Sequence, residues 1–137
     1  MHYWLVKSEP FVYSWEEFVQ DGETCWSGVR NYLARNHLKS MHKGDMVMFY
    51  HSNEGLAVVG IAKVSKTAYP DPTIDDDRWV AVDLKPHKPL KNPVTLKTIK
   101  NEPRLKDIAL IRLNRLSVIP LTEQEFDTIL DLSTRKA

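Results

Sequence analysis

The 137-residue chain has little cysteine, little glycine and little excess charge, and each shortage excludes a class of protein. A lone cysteine, Cys25, cannot form an internal disulfide, which is typical of a reducing, cytoplasmic compartment. The five glycines form neither G-x-x-x-x-G-K nor G-x-G-x-x-G, so the phosphate-binding loops of nucleotide enzymes are missing. No apolar run approaches the roughly 20 residues of a membrane span, and the first residues lack a signal-peptide pattern.

The net charge of +1, from 19 basic and 18 acidic residues, is too small for strong attraction to a phosphate backbone. Binding of nucleic acid would therefore depend on local geometry. The segment from Arg30 to Lys43 contains four cationic side chains and no acidic residue. This segment is either a solvated helix face or a surface that faces phosphates.

Neither a metal site nor a catalytic centre is predicted, and no cofactor is expected. Among the histidines only His37 and His42 are close in sequence, and a separation of five places them on different faces of a helix. A Cys25 nucleophile with His51 as its base is conceivable, but a single cysteine beside Trp26 is more typical of a packed hydrophobe. We therefore predict a protein that is not an enzyme.

Hydrophobic periodicity and capping patterns predict one α+β domain over residues 1–137, with a mostly antiparallel sheet curled into a small barrel. Loops are expected at residues 25–28, 69–72 and 75–77, and Pro86, Pro89 and Pro93 should break regular structure. Strands are predicted over 3–7, 46–50, 56–64, 79–84 and 116–119, and helices over 15–19, 31–41, 96–100 and 122–132.

Three segments at the ends of these elements contain the groups that a pocket for one extruded base requires. Such a pocket needs a flat aromatic surface, amide or hydroxyl groups for the base edge, and cations for the flanking phosphates. The segments are 7–10, 25–31 and 50–53. Each residue also has an ordinary structural explanation: Trp26 could fill the core, Ser8 could form a turn, Asn31 could cap a helix and Tyr50 could line the barrel.

Blocks along the whole chain resemble, in order, the signature blocks of the EVE domain family. They are residues 3–10, 26–31, 34–36, 44–45, 49–52, 59–62, 69–72 and 115–118. The resemblance implies a PUA-like fold, a curled mixed sheet or pseudo-barrel with short surrounding helices, and kinship with YTH domains. It also implies a non-catalytic reader of a modified base, chiefly modified cytosine in DNA, with methylated adenine or RNA as the alternative.

The same resemblance assigns roles to individual residues. Trp26 would form the stacking wall, and Arg115 would lock the pocket floor. The other candidates for the base pocket are Lys7, Ser8, Asn31, Tyr50, His51 and Ser52. The candidates for contacting phosphate or ordering the pocket are Arg30, Arg35, Asn36 and Arg115, with Lys7 able to serve either purpose. Whether Asn31 or Asn36 points inward stays open, because five residues turn a helix face by about 140°.

Two other functions compete with the reader. One is an RNA-acting hydrolase of the related ASCH branch, in which Lys7 or His51 would assist hydrolysis, although the G-x-K-x-x-E-x-R pattern of that branch is missing. The other is a module that holds a small metabolite or a peptide in the same pocket.

Overall fold

Apolar strand residues build one six-stranded mixed sheet in the computed structural model, which describes residues 1–135. The strands are β1 Tyr3–Ser8, β2 Thr24–Trp26, β3 Met46–His51, β4 Ala57–Pro70, β5 Val80–Thr95 and β6 Val118–Leu121. Their order across the sheet is β2-β5-β4-β3-β1-β6. Only β1 and β3 are parallel to each other, and the other described pairs are antiparallel. The predicted α+β class is confirmed over this range, and residues 136–137 of the predicted domain lie outside it.

Short helices surround the sheet. The helices are α1 Trp15–Asp21, α2 Tyr32–Ser40, α3 Leu96–Lys100, α4 Ala109–Arg112 and α5 Glu123–Thr134, with a 3-10 turn at Pro103–Leu105. The helices α1, α3 and α5 begin where the capping patterns predict, whereas α4 was not predicted and has no side-chain cap. Ser14 and Thr122 each form a capping box, and the Thr95 side chain accepts a hydrogen bond from the backbone of Thr98. Within residues 1–135, no helix is long and apolar enough to cross a membrane.

The parallel pairing of β1 with β3 positions the candidate site. In the register of this pair, Lys7 lies opposite Tyr50 and Ser8 lies opposite His51. The carboxyl ends of both strands therefore meet at one edge of the sheet. Two predicted segments that are distant in sequence are brought together in this way.

An aromatic cluster anchors α1 on this part of the sheet. The rings of Phe18 and Phe49 stack with centroids 5.4 Å apart, and Trp15 meets Phe49 nearly edge-on. The Trp15 indole lies directly against Gly60 in β4, where a Cβ atom would collide with the ring. Gly60 is therefore required by close packing rather than by a turn.

Three predictions of local structure are wrong. Residues 69–72 were expected to form a surface loop, but Tyr69 and Pro70 are the last residues of β4 and pair with β5. Residues 25–28 were expected to form a loop, but Cys25 and Trp26 belong to β2 and pair with β5. The three prolines expected to break regular structure instead lie inside the 16-residue strand β5. The β4–β5 ladder changes register at several points, and such bulges accommodate residues that lack an N–H donor. The residues concerned are Pro86, Pro89 and Pro93.

Candidate functional site

A cavity of about 510 Å³ opens beside Trp26, at the junction of β1, β2 and the two loops that follow them. We call it the first cavity. Four of the predicted site residues line it: Lys7, Ser8, Trp26 and Arg30. Its size falls within the range of small-molecule and base-sized ligand sites. The remaining lining residues are Glu9, Val12, Tyr13, Thr24, Cys25, Ser27, Gly28, Val29 and Ser117.

The Trp26 indole is partly buried and held in a fixed orientation at the end of β2. Its ring lies nearly perpendicular to Phe49, with centroids 5.7 Å apart, and nearly perpendicular to Tyr13 at 6.4 Å. Such edge contacts are favourable for aromatic pairs and restrict rotation of the side chain. The indole therefore reaches the cavity as a preorganised surface rather than being sealed in the core.

The loop after β2 is fixed by one buried carboxylate, Asp71, which is 2% exposed. Its Oδ2 accepts hydrogen bonds from the Gly28 backbone N–H at 2.8 Å and from Arg30 Nη1 at 2.9 Å. Its Oδ1 accepts from the backbone N–H and the hydroxyl of Thr73 at 2.7 and 2.6 Å. Gly28 adopts a left-handed backbone conformation with φ of 82°. The first cavity thus has one wall tied to a distant loop.

These contacts set the charge state of Asp71. Burial alone would raise the pKa of its carboxyl group, but the hydrogen bonds from Thr73, Gly28 and Arg30 outweigh burial and hold the pKa well below its usual range. Asp71 is therefore ionised at neutral pH, and it neutralises Arg30. The contacts of Arg30 fit the pocket-ordering role better than direct binding of phosphate.

Lys7 and Ser8 are both held by backbone carbonyl groups. Lys7 Nζ donates to the Asn114 carbonyl at 2.8 Å, and burial lowers the pKa of this amine. Ser8 Oγ donates to the Tyr13 carbonyl at 2.5 Å, so the Ser8 hydroxyl oxygen remains available as an acceptor. Both residues line the first cavity, and their polar atoms are held in fixed positions.

A second cavity of about 480 Å³ lies on the other side of Lys7, Glu9 and Ser117, which line both spaces. It contains the predicted residues Tyr50, Ser52 and Arg115. The prediction that Arg115 locks the pocket floor is wrong for this conformation, because its side chain is exposed and makes no hydrogen bond or ion pair within residues 1–135. Burial raises the pKa of the Tyr50 hydroxyl, so this group stays neutral. Its other lining residues are Asn53, Leu56, Leu96, Leu110 and Asn114.

His51 is not among the residues that line either cavity. Its Nε2 accepts a hydrogen bond from the Trp15 backbone N–H at 3.1 Å, and this contact requires an unprotonated nitrogen. Burial lowers the pKa of His51, while the nearby Glu16 carboxylate opposes that effect. The structure therefore gives His51 a contact that holds the start of α1.

Asn31, Arg35 and Asn36 also lie outside the lining of both cavities. The Asn31 side chain caps α2 by accepting from the Ala34 backbone N–H at 3.0 Å. Arg35 Nη2 donates to Asn36 Oδ1 at 2.8 Å, and its guanidinium lies over the Tyr32 ring at 4.9 Å. In this conformation neither asparagine turns into the first cavity.

Several residues at the first cavity were not anticipated from the sequence. Asp71 holds the wall from outside the lining and occurs in one of the family-like blocks, but nothing in the sequence indicates its contacts with Gly28 and Arg30. Val12 and Tyr13 line the cavity, and apolar residues directly after Pro10, between a strand and a helix, were a signal that could have been used. Within residues 1–135, no group of three or more His, Cys, Asp or Glu side chains is placed to hold a metal ion.

Comparison with known proteins gives consistent matches over nearly the whole chain. The EVE domain family model matches residues 2–132. Thymocyte nuclear protein 1 of Mus musculus is 38% identical, with 96% of this chain and 73% of that protein covered. A crystal structure of an Agrobacterium tumefaciens protein is 44% identical with a TM-score of 0.96, covering 98% of this chain and 94% of that one.

Two further structures are informative about ligands of related folds. Human THYN1 in complex with 5-methylcytosine-containing DNA is 33% identical with a TM-score of 0.94, and the match covers 100% of each chain. The YTH domain of Zygosaccharomyces rouxii MRB1, solved with N6-methyladenosine RNA, matches over 99% of this chain and 88% of that one. At 16% identity and a TM-score of 0.58, this last match shows a shared fold alone. The predicted PUA-like fold is confirmed.

Proposed function

Because the chain belongs to the EVE domain family, we propose that it binds one modified nucleobase, turned out of its strand, in the first cavity. The observation that carries the proposal is the oriented Trp26 indole in the lining of that cavity. Stacking of a base on an aromatic side chain contributes about 1–3 kcal/mol. This is the largest single contribution that the site offers.

The polar lining of the first cavity suits the edge of a cytosine. The exocyclic amino group of cytosine is a hydrogen-bond donor, and it requires an acceptor in the pocket. Glu9 provides a carboxylate, and Ser8 and Ser27 provide hydroxyl oxygens. A base that presents an acceptor to the Glu9 carboxylate would be repelled by it, whereas the amino group of cytosine would be attracted.

Recognition of the modification itself depends on a small apolar contribution. One buried methyl group is worth about 0.8 kcal/mol, so the methyl alone discriminates weakly. Val12 and Val29 offer apolar lining that could contact it. Stacking, edge recognition and methyl burial together form the basis of selectivity. The THYN1 complex with 5-methylcytosine-containing DNA favours modified cytosine in DNA over methylated adenine or RNA.

Phosphate binding is assigned mainly to Arg115, whose side chain is exposed and has no hydrogen-bond partner within residues 1–135. Lys7 lies between the two cavities and can contribute its charge to either. Arg30 orders the pocket through Asp71 instead. The proposed path of the strand therefore runs from the first cavity across Lys7 towards Arg115.

The contacts of the proposed catalytic groups favour binding over hydrolysis. His51, one candidate base, is engaged by the Trp15 backbone, and Lys7 donates to a backbone carbonyl. A general base must reach the proton that it removes. We therefore propose a non-catalytic reader. The cytoplasmic location predicted from the sequence stays a prediction, and the related vertebrate proteins are called nuclear.

Fluorescence anisotropy with matched oligonucleotides tests the proposal. Wild type should bind a single strand that contains 5-methylcytosine more tightly than the same strand with cytosine. Trp26→Ala should lower this affinity by roughly tenfold, within the range of one lost stacking contact. Trp26→Phe should retain most of it, and Leu33→Ala, on the exposed face of α2, serves as the control.

Two outcomes would count against this function. Equal affinity of wild type for the modified and unmodified strands would refute base reading. Thermal stabilisation by a free metabolite or peptide, without any response to modified nucleosides, would favour the small-ligand module instead. Circular dichroism of each variant checks that a loss of binding is not a loss of fold.

A further inference from the structure

The loop between β1 and α1, residues 9–14, carries an exposed apolar pair at its outer turn. Phe11 is 64% exposed and Val12 is 66% exposed. Among the large apolar side chains of residues 1–135, only Met1 at the chain start is more exposed. Single exposed hydrophobic residues are ordinary, but two adjacent ones on a short loop call for a function.

Hydrogen bonds hold the backbone of this loop, so the apolar pair has a defined position. The backbone N–H groups of Val12 and Tyr13 both donate to the Glu9 carbonyl at 2.9 Å. The Tyr13 hydroxyl donates to Asp21 at 2.8 Å, and the Tyr13 carbonyl accepts from Ser8 Oγ. The loop therefore needs little ordering on contact with a ligand, and little conformational entropy is lost there.

The loop also forms the rim of the first cavity. Val12 and Tyr13 line the cavity together with Trp26, and Phe11 precedes them on the outside. Extruding a base from a duplex breaks its stacking and pairing, and proteins offset this cost by inserting apolar side chains into the base stack. An apolar wedge at the mouth of a base pocket is in the correct place for this.

We propose that Phe11 and Val12 form a wedge that enters the base stack of double-stranded DNA at the step from which the modified base leaves. The proposal rests on the function assigned to the first cavity and identifies its ligand as a duplex. With a net charge of +1, attraction to the phosphate backbone can contribute little to the cost of extruding a base. Contacts such as this wedge are then needed to offset that cost. Two side chains are too small a surface for a stable protein interface, which buries about 800 Å² per partner.

The test compares one modified cytosine in a fully paired duplex and in a single strand. The variant is Phe11→Ala, because Phe11 does not line the first cavity whereas Val12 does. Val19→Ala is the control, because Val19 is also an exposed apolar residue but lies on α1. Phe11→Ala should bind the duplex roughly tenfold more weakly and the single strand within about twofold of wild type. A 2-aminopurine placed beside the modified base should brighten on binding of wild type and respond less to Phe11→Ala.

The outcomes separate the wedge from the reader. A duplex affinity that is unchanged in Phe11→Ala, or an affinity reduced equally for duplex and single strand, overturns the wedge while the reader stands. Failure of wild type to bind the duplex, with preference for the modified single strand retained, also overturns the wedge alone. Equal binding of modified and unmodified strands by wild type overturns both. Thermal denaturation of Phe11→Ala should show no change, because the Phe11 side chain is 64% exposed.

Discussion

Replacing Asp71 by Asn tests whether the wall of the first cavity is held by one carboxylate. Each oxygen of Asp71 accepts two hydrogen bonds, one pair from Gly28 and Arg30 and the other pair from Thr73. If the NH2 group of the new amide faces Gly28 and Arg30, two hydrogen bonds are lost. If it faces Thr73, the Thr73 backbone N–H loses its acceptor, whereas the Thr73 hydroxyl can rotate and accept from the amide. In both orientations Arg30 loses its charged partner.

The expected loss follows from the burial of those donors. Each unsatisfied buried donor costs about 1–3 kcal/mol, and Arg30, whose side chain is 37% exposed, regains part of this from water. We therefore expect Asp71→Asn to lower the free energy of unfolding by about 2–4 kcal/mol at neutral pH. Urea denaturation measures this change. Asp75→Asn, an exposed residue of the same loop, should stay within about 0.5 kcal/mol of wild type.

The pH dependence of the free energy of unfolding gives a second, independent test of the role of Asp71. Because the folded-state pKa of Asp71 lies below its unfolded value, this carboxylate stabilises the fold fully above about pH 4. That contribution is lost as the pH falls through the folded-state pKa. The difference in stability between wild type and Asp71→Asn should therefore narrow below about pH 4. A variant as stable as wild type at pH 7, or a difference independent of acid, would refute the reasoning.

Three other substitutions probe separate parts of the molecule. Gly60→Ala should destabilise the fold by about 1–3 kcal/mol in urea denaturation, because its Cβ would collide with Trp15. His51→Ala should cost about 1 kcal/mol above pH 6.5, and this cost should shrink in acid, because protonation of the depressed-pKa imidazole breaks the same contact in wild type. Arg115→Ala should reduce by about 1 the slope of the logarithm of the DNA-binding constant against the logarithm of salt concentration, as measured by anisotropy titrations at several salt concentrations. Arg112→Ala should leave this slope unchanged, because the Arg112 side chain donates to the Asp107 carbonyl.

Local patterns predicted much of the fold because their physical causes are local. The capping boxes at Ser14 and Thr122 and the cap at Thr95 place three helix starts correctly. The strand containing Pro86 could not be predicted in the same way. Whether a proline breaks a strand depends on the register of its partner, and the bulges opposite β4 are set by tertiary pairing.

The sequence brought Trp26, Ser8 and Lys7 into one candidate site because they lie where elements end, and in the structure all three line the first cavity. Their role in binding a base stays a prediction. The direction in which each side chain points could not be predicted from the sequence. Tyr50 lines the second cavity, whereas its neighbour His51 contacts the Trp15 backbone instead. Asn31 shows the same limit, because its amide can serve a helix cap or a ligand, and in the structure it serves the cap. Sequence blocks identify the neighbourhood of a site, whereas backbone geometry decides which atoms enter it.

The charges near the first cavity explain how a nearly neutral chain could be selective. Arg30 is paired with Asp71, and Arg78 is paired with Asp76 at 2.6 Å. Cations that are already neutralised add little to sequence-independent attraction, so unmodified DNA gains little from them. Most of the binding free energy must then come from contacts with the base itself. A modest affinity is then compatible with good discrimination between modified and unmodified DNA, because the attraction to the phosphate backbone, which both share, is small.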